Sequence, residues 1–182
     1  MDCTSAQIIK KGRGDMASVY WITGLSGAGK TSVGKLLYEK MKQKYPATVF
    51  LDGDMMREVF GNDLGYTREE RIKCAMRYAR LCRMLRSQGM NVICCTISMF
   101  DEIRNWNRKN IENYREIYVR VSMEVLKKRN QKGLYSVSAG NQEVAGIQVE
   151  IEEPKNPDLI LDNEGDISVS ELVNRVTERF GI

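Results

Sequence analysis

The chain has 182 residues, of which 42% are hydrophobic and 29% are charged, and its net charge is +4. These values are typical of one globular domain, and the small basic excess favours anionic ligands without indicating a nucleic-acid coat. The chain contains no histidine, which excludes every mechanism that depends on a catalytic or zinc-binding imidazole.

The cysteine and hydropathy patterns predict a soluble, cytoplasmic protein. The five cysteines are odd in number and form no C-x-x-C pair, so they favour reduced, mostly buried thiols over disulfides or a zinc site. No stretch of the sequence approaches the roughly 18 apolar residues that a membrane helix needs. Residues 1–17 show no periodicity, and we expect a flexible leader there, followed by a single domain at 18–182.

Predicted strands and helices alternate along the chain. Runs of apolar and β-branched residues predict strands at 18–23, 47–51, 91–97, 116–121 and 159–161. Apolar residues at helical spacing predict helices at 30–43, 67–89, 101–112, 123–130 and 168–180. Such alternation is typical of an α/β sandwich of three layers, with helices on both faces of a parallel sheet. Residues 131–156 show no period and predict a long loop that acts as a lid.

A glycine-rich segment links the first predicted strand to the first predicted helix. Its residues Gly24-Leu-Ser-Gly-Ala-Gly-Lys-Thr31 match the phosphate-binding pattern G-x-x-x-x-G-K-[ST]. Glycines let consecutive N–H groups point at phosphate oxygens, and the helix N-terminus adds a partial positive charge. We expect Lys30 to reach the β- and γ-phosphates and the Thr31 hydroxyl to coordinate Mg²⁺. The expected nucleotide contacts are Gly24, Ser26, Gly27, Ala28, Gly29, Lys30, Thr31 and Ser32.

The rest of the sequence narrows the class of nucleotide-binding protein. The chain lacks the Asn-Lys-x-Asp motif that reads guanine, and it is shorter than most ATPase machines. A short chain with a long, late loop is typical of a small-molecule kinase. The sequence therefore predicts a kinase with the P-loop fold that uses ATP and Mg²⁺.

Two carboxylates flank a glycine just past the second predicted strand, at Asp52 and Asp54. Carboxylates at a strand end are costly unless each has a cation or a substrate as its partner. In a kinase, one carboxylate would hold Mg²⁺ through water and the other would receive or orient the acceptor hydroxyl. We assign the metal to Asp52 and the acceptor hydroxyl to Asp54. Arg57 could then hold a phosphate of the acceptor. A solvated turn is the alternative interpretation, which the intact phosphate loop disfavours.

Several motifs together resemble the adenylylsulfate (APS) kinase family. They are Trp21–Lys30, Leu51–Asp54 with Arg57, Asp63–Gly65, Arg71, Ile97-Ser98 and Lys132–Tyr135, in the family's order and at similar spacing. The resemblance runs from about residue 18 to residue 180 and implies a P-loop kinase fold with a five-stranded parallel sheet. It also implies that Mg-ATP phosphorylates the ribose 3′-hydroxyl of APS, which yields the sulfate donor PAPS.

The resemblance also implies an acceptor site. The positions that match the family's acceptor contacts are Asp54, Arg57, Tyr66, Arg71, Ile97, Ser98 and Lys132. Arg57, Arg71 and Lys132 could clamp an anionic acceptor while Lys30 and Mg²⁺ neutralise the transferring phosphoryl group. Ser98 matches a serine that carries phosphate in some family members. The candidate catalytic residues are Lys30, Asp52, Asp54 and Ser98.

The sequence departs from the family pattern mainly on the acceptor side. The family's Arg-x-x-Asn reads Arg71–Cys74 here, its Ile-Ser-Pro-Tyr reads Ile97–Phe100, and Glu58 replaces a residue that is often aromatic. After Tyr135 the loop is shortened and lacks an arginine. Val144 stands where the family has a Phe that stacks on the acceptor adenine, and such stacking contributes about 1–3 kcal/mol.

These departures leave three hypotheses open. APS is the first, because most of the family motifs match it. The second is a 3′-kinase for another nucleotide, such as cytidine diphosphoramidate in capsule synthesis, whose smaller base would tolerate Val144. The third is a non-catalytic nucleotide-binding module, for which Asp52 and Asp54 would be unnecessary. No aromatic platform is interleaved with the arginines of 67–89, so we expect no nucleic-acid partner. We also expect no membrane partner, because the sequence has no apolar stretch of sufficient length. A homodimer is an open option.

Overall fold

The computed structural model describes residues 17–129, 145–146 and 149–182. Its five strands are β1 (Val19–Thr23), β2 (Thr48–Asp52), β3 (Asn91–Thr96), β4 (Tyr114–Arg120) and β5 (Leu159–Asp162). They form one parallel sheet in the order β2-β3-β1-β4-β5. The helices are α1 (Lys30–Lys44), α2 (Gly53–Val59), α3 (Arg68–Ser87), α4 (Asp101–Asn110), α5 (Met123–Arg129) and α6 (Val169–Phe180).

The two faces of the sheet are covered by different helices. Along the central strand, Tyr20 and Ile22 pack in a cluster with residues of α1 and α6. Val19 and Trp21 pack in a second cluster, with residues of α3 and α4. Because successive side chains of a strand point to opposite faces, this division places helices on both sides. The predicted three-layer α/β sandwich with a five-stranded parallel sheet is confirmed.

The helix α2 is absent from the sequence-based prediction. Gly53–Val59 form this helix immediately after β2, and the Asp52 carboxylate caps it by accepting a hydrogen bond from the Asp54 N–H at 3.0 Å. Aspartate is among the best N-cap residues because its carboxylate satisfies an otherwise unpaired N–H group. The helix gives Asp54 and Arg57 a fixed backbone, in a segment for which the sequence predicted no helix or strand.

A capping box begins α3. The Glu70 N–H donates to the Thr67 hydroxyl at 3.3 Å, and the Thr67 N–H donates to the Glu70 carboxylate at the same distance. This cap fixes the start of α3 beside the segment that carries Tyr66.

The strand order brings three strand ends together at one edge of the sheet. Thr23 at the end of β1 lies opposite Thr96 of β3, and Asp52 at the end of β2 lies opposite Cys95. In α1, Gly34 permits a close approach to β3, because a Cβ at this position would collide with the Cys95 sulfur. The phosphate loop, the Asp52–Asp54 segment and residues 96–98 are therefore neighbours.

Some expectations fall outside the described residues. They concern the leader up to residue 16, most of the loop at 131–156, and the side chains of Lys132 and Val144. Across the ranges that the structure describes, no helix combines the length and the apolarity needed to span a membrane.

Candidate active site

The phosphate loop connects the end of β1 to the N-terminus of α1. The last residue before α1 is Gly29, whose φ of 97° lies in the left-handed region that favours glycine. The loop borders an open cleft, which we call the P-loop cleft. Its lining residues are Ser26, Gly27, Gly29, Lys30, Thr31, Ser32, Asp52, Gly53, Asp54, Cys95, Thr96 and Ile97.

Two of the predicted nucleotide contacts do not line the P-loop cleft. Gly24 lies against β4, where a Cβ would collide with the Val119 carbonyl oxygen. Ala28 is fully buried behind the loop. These two residues shape the loop from behind, whereas the other six predicted contacts lie along the cleft.

Lys30 is the first residue of α1 and lies across the loop. Its side chain is largely buried, and its ammonium group donates to the Leu25 carbonyl oxygen at 2.7 Å. On the other side, the Cys95 thiol of β3 donates to the Lys30 carbonyl oxygen at 3.2 Å. Burial raises the pKa of the Cys95 thiol well above its ordinary value, so the thiol remains a donor at neutral pH. Lys30 is thus held to the loop and to the sheet.

Asn163 supports the phosphate loop, a role that the sequence analysis missed. Its side-chain amide donates to the Ala28 carbonyl oxygen at 2.9 Å. In a trans peptide the C=O and N–H groups point in opposite directions, so this bond turns the Gly29 N–H away from Asn163. Arg129 in turn donates to the Asn163 carbonyl oxygen at 2.7 Å. Its position in the sequence could have indicated this role, because Asn163 directly follows β5 at the edge of the sheet where the site lies.

Asp52 and Thr31 meet in the P-loop cleft. The Thr31 hydroxyl donates to one Asp52 carboxylate oxygen at 2.7 Å, while the other oxygen caps α2. A hydroxyl and a carboxylate are the hard oxygen ligands that Mg²⁺ prefers, and kinase sites use few protein ligands besides phosphate oxygens. Among the described residues, no group of three or more acidic or cysteine side chains offers another metal site. The residues present fit Mg²⁺.

A second cleft, which we call the adjacent pocket, lies on the α3 side of Asp54. Its lining residues are Gly53, Asp54, Arg57, Tyr66, Arg71, Cys74, Ala75, Tyr78, Thr96, Ile97 and Ser98. Every predicted acceptor residue within the described ranges lines this pocket. Four residues border both clefts, namely Gly53, Asp54, Thr96 and Ile97. By contrast, Asp52 lines the P-loop cleft and not the adjacent pocket.

Two arginines enclose the Tyr66 ring at the mouth of the adjacent pocket. The guanidinium carbon of Arg57 lies 4.3 Å from the ring centroid, and that of Arg71 lies 5.2 Å from it. Arg57 also donates to the carbonyl oxygens of Leu64 and Gly65, and Arg71 donates to that of Tyr66. These bonds fix the cations beside a half-exposed aromatic ring, an arrangement suited to an anionic, ring-bearing ligand.

Ser98 lies deep in the wall of the adjacent pocket. The residue is only 1% exposed, and its hydroxyl oxygen is 2.9 Å from that of Thr96. This hydrogen bond joins the last residue of β3 to the segment that follows the strand. Ser98 therefore borders the pocket as a buried, hydrogen-bonded hydroxyl.

The α3 wall of the adjacent pocket contains two residues that form a hydrogen-bonded pair. The Cys74 thiol donates to the Tyr78 hydroxyl oxygen at 2.8 Å, and the Tyr78 hydroxyl donates to the Gly53 carbonyl oxygen at 3.2 Å. Cys74 is one of the departures from the family pattern, whereas Tyr78 is not among the residues predicted from the sequence. Helical spacing was the available signal, because positions 71, 74 and 78 lie on one face of a helix.

Comparison with known proteins decides the family. The model of the family described as adenylylsulphate kinase matches residues 16–162. The chain belongs to the adenylylsulphate kinase family. The kinase is thus a phosphotransferase with a hydroxyl acceptor, and the prediction of a P-loop kinase is confirmed.

Two relatives differ in the acceptor that their names give. The kinase is 40% identical to the cytidine diphosphoramidate kinase of Campylobacter jejuni, over 90% of this chain and 96% of the relative. It is 35% identical to a probable adenylyl-sulfate kinase of Aeropyrum pernix, over 88% of each chain. Among solved structures, it resembles the Mycobacterium tuberculosis APS kinase in complex with AMPPNP and APS. That similarity has a TM-score of 0.82 and 30% identity, and it covers 92% of this chain and 99% of the other.

Proposed function

We propose that this kinase transfers the γ-phosphate of ATP to the ribose 3′-hydroxyl of a nucleotide, and that the nucleotide is cytidine diphosphoramidate. The observation that supports this phosphoryl transfer is the wall that the two clefts share. Asp54 borders both, so it can contact a hydroxyl in the adjacent pocket next to a phosphate in the P-loop cleft. Reacting groups held side by side in this way are the main source of catalysis in phosphoryl transfer.

The P-loop cleft would hold the triphosphate. The N–H groups of the loop and the N-terminus of α1 provide a cradle for phosphate oxygens, and Lys30 supplies a cation at its edge. Thr31 and Asp52 would hold Mg²⁺ at the point where their oxygens meet. When bound there, Mg²⁺ would neutralise part of the phosphate charge.

The two aspartates have different surroundings, which support different roles. Both carboxylate oxygens of Asp52 are engaged, one by Thr31 and one by the N-terminus of α2, and this residue borders only the P-loop cleft. Asp54 borders both clefts, so we assign to its carboxylate the proton of the attacking 3′-hydroxyl. Arg57 and Arg71 would hold the phosphate groups of the acceptor beside the Tyr66 ring.

Two observations favour a cytidine diphosphate acceptor over APS. The identity to the cytidine diphosphoramidate kinase is 40%, against 35% for the Aeropyrum relative. The acceptor-side sequence also departs from the APS kinase pattern at Cys74, which lines the adjacent pocket, and at Val144. APS stays the second candidate because the matching family model is that of adenylylsulphate kinase.

Parallel acceptor assays test the proposal. ADP release would be measured with Mg-ATP and either cytidine diphosphoramidate, CDP or APS, and kcat/KM would be compared. We expect cytidine diphosphoramidate to exceed APS by about tenfold or more, a difference of 1.4 kcal/mol in transition-state binding. A product phosphorylated on the ribose 3′-oxygen, identified by ³¹P NMR, would verify the position of transfer.

Each alternative has its own result in the same assays. A kcat/KM for APS that exceeds those of the cytidine nucleotides would establish the second candidate. ATP binding without ADP release for any acceptor would instead establish the non-catalytic nucleotide-binding module. Transfer to water alone would contradict the assignment of the adjacent pocket to an acceptor.

A further inference from the structure

We infer that Tyr78 is a positioning residue for Asp54 and acts through the peptide unit between Gly53 and Asp54. This inference rests on the proposed function, because it assumes that Asp54 receives the acceptor proton. Tyr78 is buried in α3 and belongs to neither the phosphate loop nor the predicted acceptor contacts. Its hydroxyl nevertheless contacts the first turn of α2. Asp54 lies in that turn and lines the adjacent pocket.

The peptide unit between Gly53 and Asp54 is held at both of its polar atoms. Its carbonyl oxygen accepts from the Tyr78 hydroxyl at 3.2 Å, and its N–H donates to the Asp52 carboxylate at 3.0 Å. A peptide unit is planar, so the two bonds together fix its rotation about the chain axis. Since the Asp54 Cα is part of that plane, the direction of the Asp54 side chain depends on both bonds.

The sheet closes the third side of the same peptide unit. A Cβ added to Gly53 would lie 3.2 Å from the Cys95 carbonyl oxygen and 3.6 Å from the Thr96 Cα. The first turn of α2 thus rests directly on β3 and has little freedom to move toward the sheet. Loss of the Tyr78 bond would free the unit on the opposite side, toward the adjacent pocket.

The surroundings of Tyr78 make its hydroxyl a dependable donor. The Cys74 thiol donates to the phenol oxygen at 2.8 Å, which leaves the phenol hydrogen directed at Gly53. Burial and the Cys74 contact raise the pKa of Tyr78 far above its ordinary value, so the phenol stays protonated at neutral pH. Its ring stacks on that of Phe60, with 6.1 Å between centroids, which fixes the ring independently of the hydroxyl.

The test compares two tyrosine-to-phenylalanine variants. Tyr78→Phe removes the hydroxyl and keeps the ring that packs on Phe60. Tyr114→Phe is the matched control, since it also removes a buried hydroxyl, from β4, but lines neither cleft. We expect Tyr78→Phe to lower kcat about tenfold with the KM for ATP unchanged within about twofold, because misplacing a reacting group costs rate and spares substrate binding. Tyr114→Phe should retain the wild-type kcat.

A double-mutant cycle separates positioning from general destabilisation. In an Asp54→Asn background, Tyr78→Phe should lower the residual kcat by less than about twofold, because a residue that acts through Asp54 loses its effect when Asp54 is replaced. Cys74→Ala should lower kcat about threefold more than Cys74→Ser does, since serine keeps a donor toward the Tyr78 oxygen. Thermal unfolding of every variant would be followed by circular dichroism.

The outcomes separate this inference from the proposed function. If Asp54→Asn keeps the wild-type kcat, the proposed role of Asp54 is wrong and the inference is overturned with it. If Asp54→Asn is inactive but Tyr78→Phe matches Tyr114→Phe, the inference alone is overturned. Additive losses in the double variant also overturn it. Should Tyr78→Phe not fold, the Cys74 variants decide: equal kcat for Cys74→Ala and Cys74→Ser overturns the inference.

Discussion

The P-loop cleft and the adjacent pocket are built in different ways. Along the P-loop cleft, one continuous segment, 26–32, supplies half of the lining residues. Its backbone N–H groups and the first turn of α1 form the cradle for phosphate. The adjacent pocket combines side chains from α2, α3, the segment between them and the residues after β3. Its chemistry is therefore carried by side chains that are distant in sequence.

This difference separates the part of the site that can serve any triphosphate from the part that can vary with the acceptor. A backbone cradle accepts any triphosphate and tolerates few substitutions, because its geometry depends on glycines such as Gly29. A pocket made of side chains can change its ligand through single substitutions. Cys74, at a position where the family pattern has asparagine, is one such change. The two clefts are expected to respond differently to mutation.

The largest expected effect belongs to the residue that borders both clefts. Asp54→Asn preserves the shape of the side chain but removes the charge that would accept the 3′-hydroxyl proton. We expect kcat to fall by roughly 10²- to 10⁴-fold, the usual contribution of a general base, while ATP still binds. Nucleotide binding by fluorescence and single-turnover transfer would be measured together. Equal loss of ATP binding would place Asp54 in the metal site and reverse the roles of Asp52 and Asp54.

Replacement of Lys30 tests the P-loop cleft alone. Lys30→Ala removes the cation that would neutralise the negative charge developing on the β- and γ-phosphates. We expect kcat to fall about 10²-fold or more. The fold should persist, as shown by circular dichroism. Lys35→Ala, on the exposed side of α1, is the matched control and should have no effect. Near-wild-type turnover of folded Lys30→Ala would remove this lysine from the mechanism.

Asn163 tests whether the backbone cradle needs support from outside the motif. Asn163→Ala leaves the Ala28 carbonyl oxygen without its side-chain donor, and the Gly29 N–H loses a constraint. We expect the KM for ATP to rise about tenfold, in line with the cost of an unsatisfied buried carbonyl, with a smaller change in the KM of the acceptor. Asn174→Ala, which removes a surface partner of Lys40, serves as the control. Equal effects on both substrates would contradict a role confined to the P-loop cleft.

The smallest expected effect concerns the base of the acceptor. If Val144 occupies the stacking position of the APS kinase family, Val144→Phe should favour APS over a cytidine diphosphate acceptor by about fivefold, or ~1 kcal/mol. The measurement is kcat/KM for both acceptors in the wild type and the variant. An unchanged ratio would show that residue 144 does not face the base.

The two clefts were also unequally predictable from sequence. The phosphate loop was recognised because its chemistry lies in eight consecutive residues, Gly24–Thr31, between a strand and a helix. The α2 helix was missed because seven residues that begin with Gly-Asp are too short to show a period. Six acceptor positions inferred from the family resemblance do line one pocket. Tyr78 and Asn163 were missed because their contacts depend on which elements the fold brings together.

The shared wall also has a stereochemical consequence. Because Gly53, Asp54, Thr96 and Ile97 border both clefts, the two nucleotides would occupy the site together and meet across a single residue. Phosphorus would then move in one in-line displacement, which inverts its configuration, and no phosphorylated enzyme would accumulate. Initial rates should follow sequential kinetics. A bisubstrate analogue that joins adenosine and cytidine moieties through a short polyphosphate bridge should bind more tightly than either nucleotide, because one binding event fills both clefts.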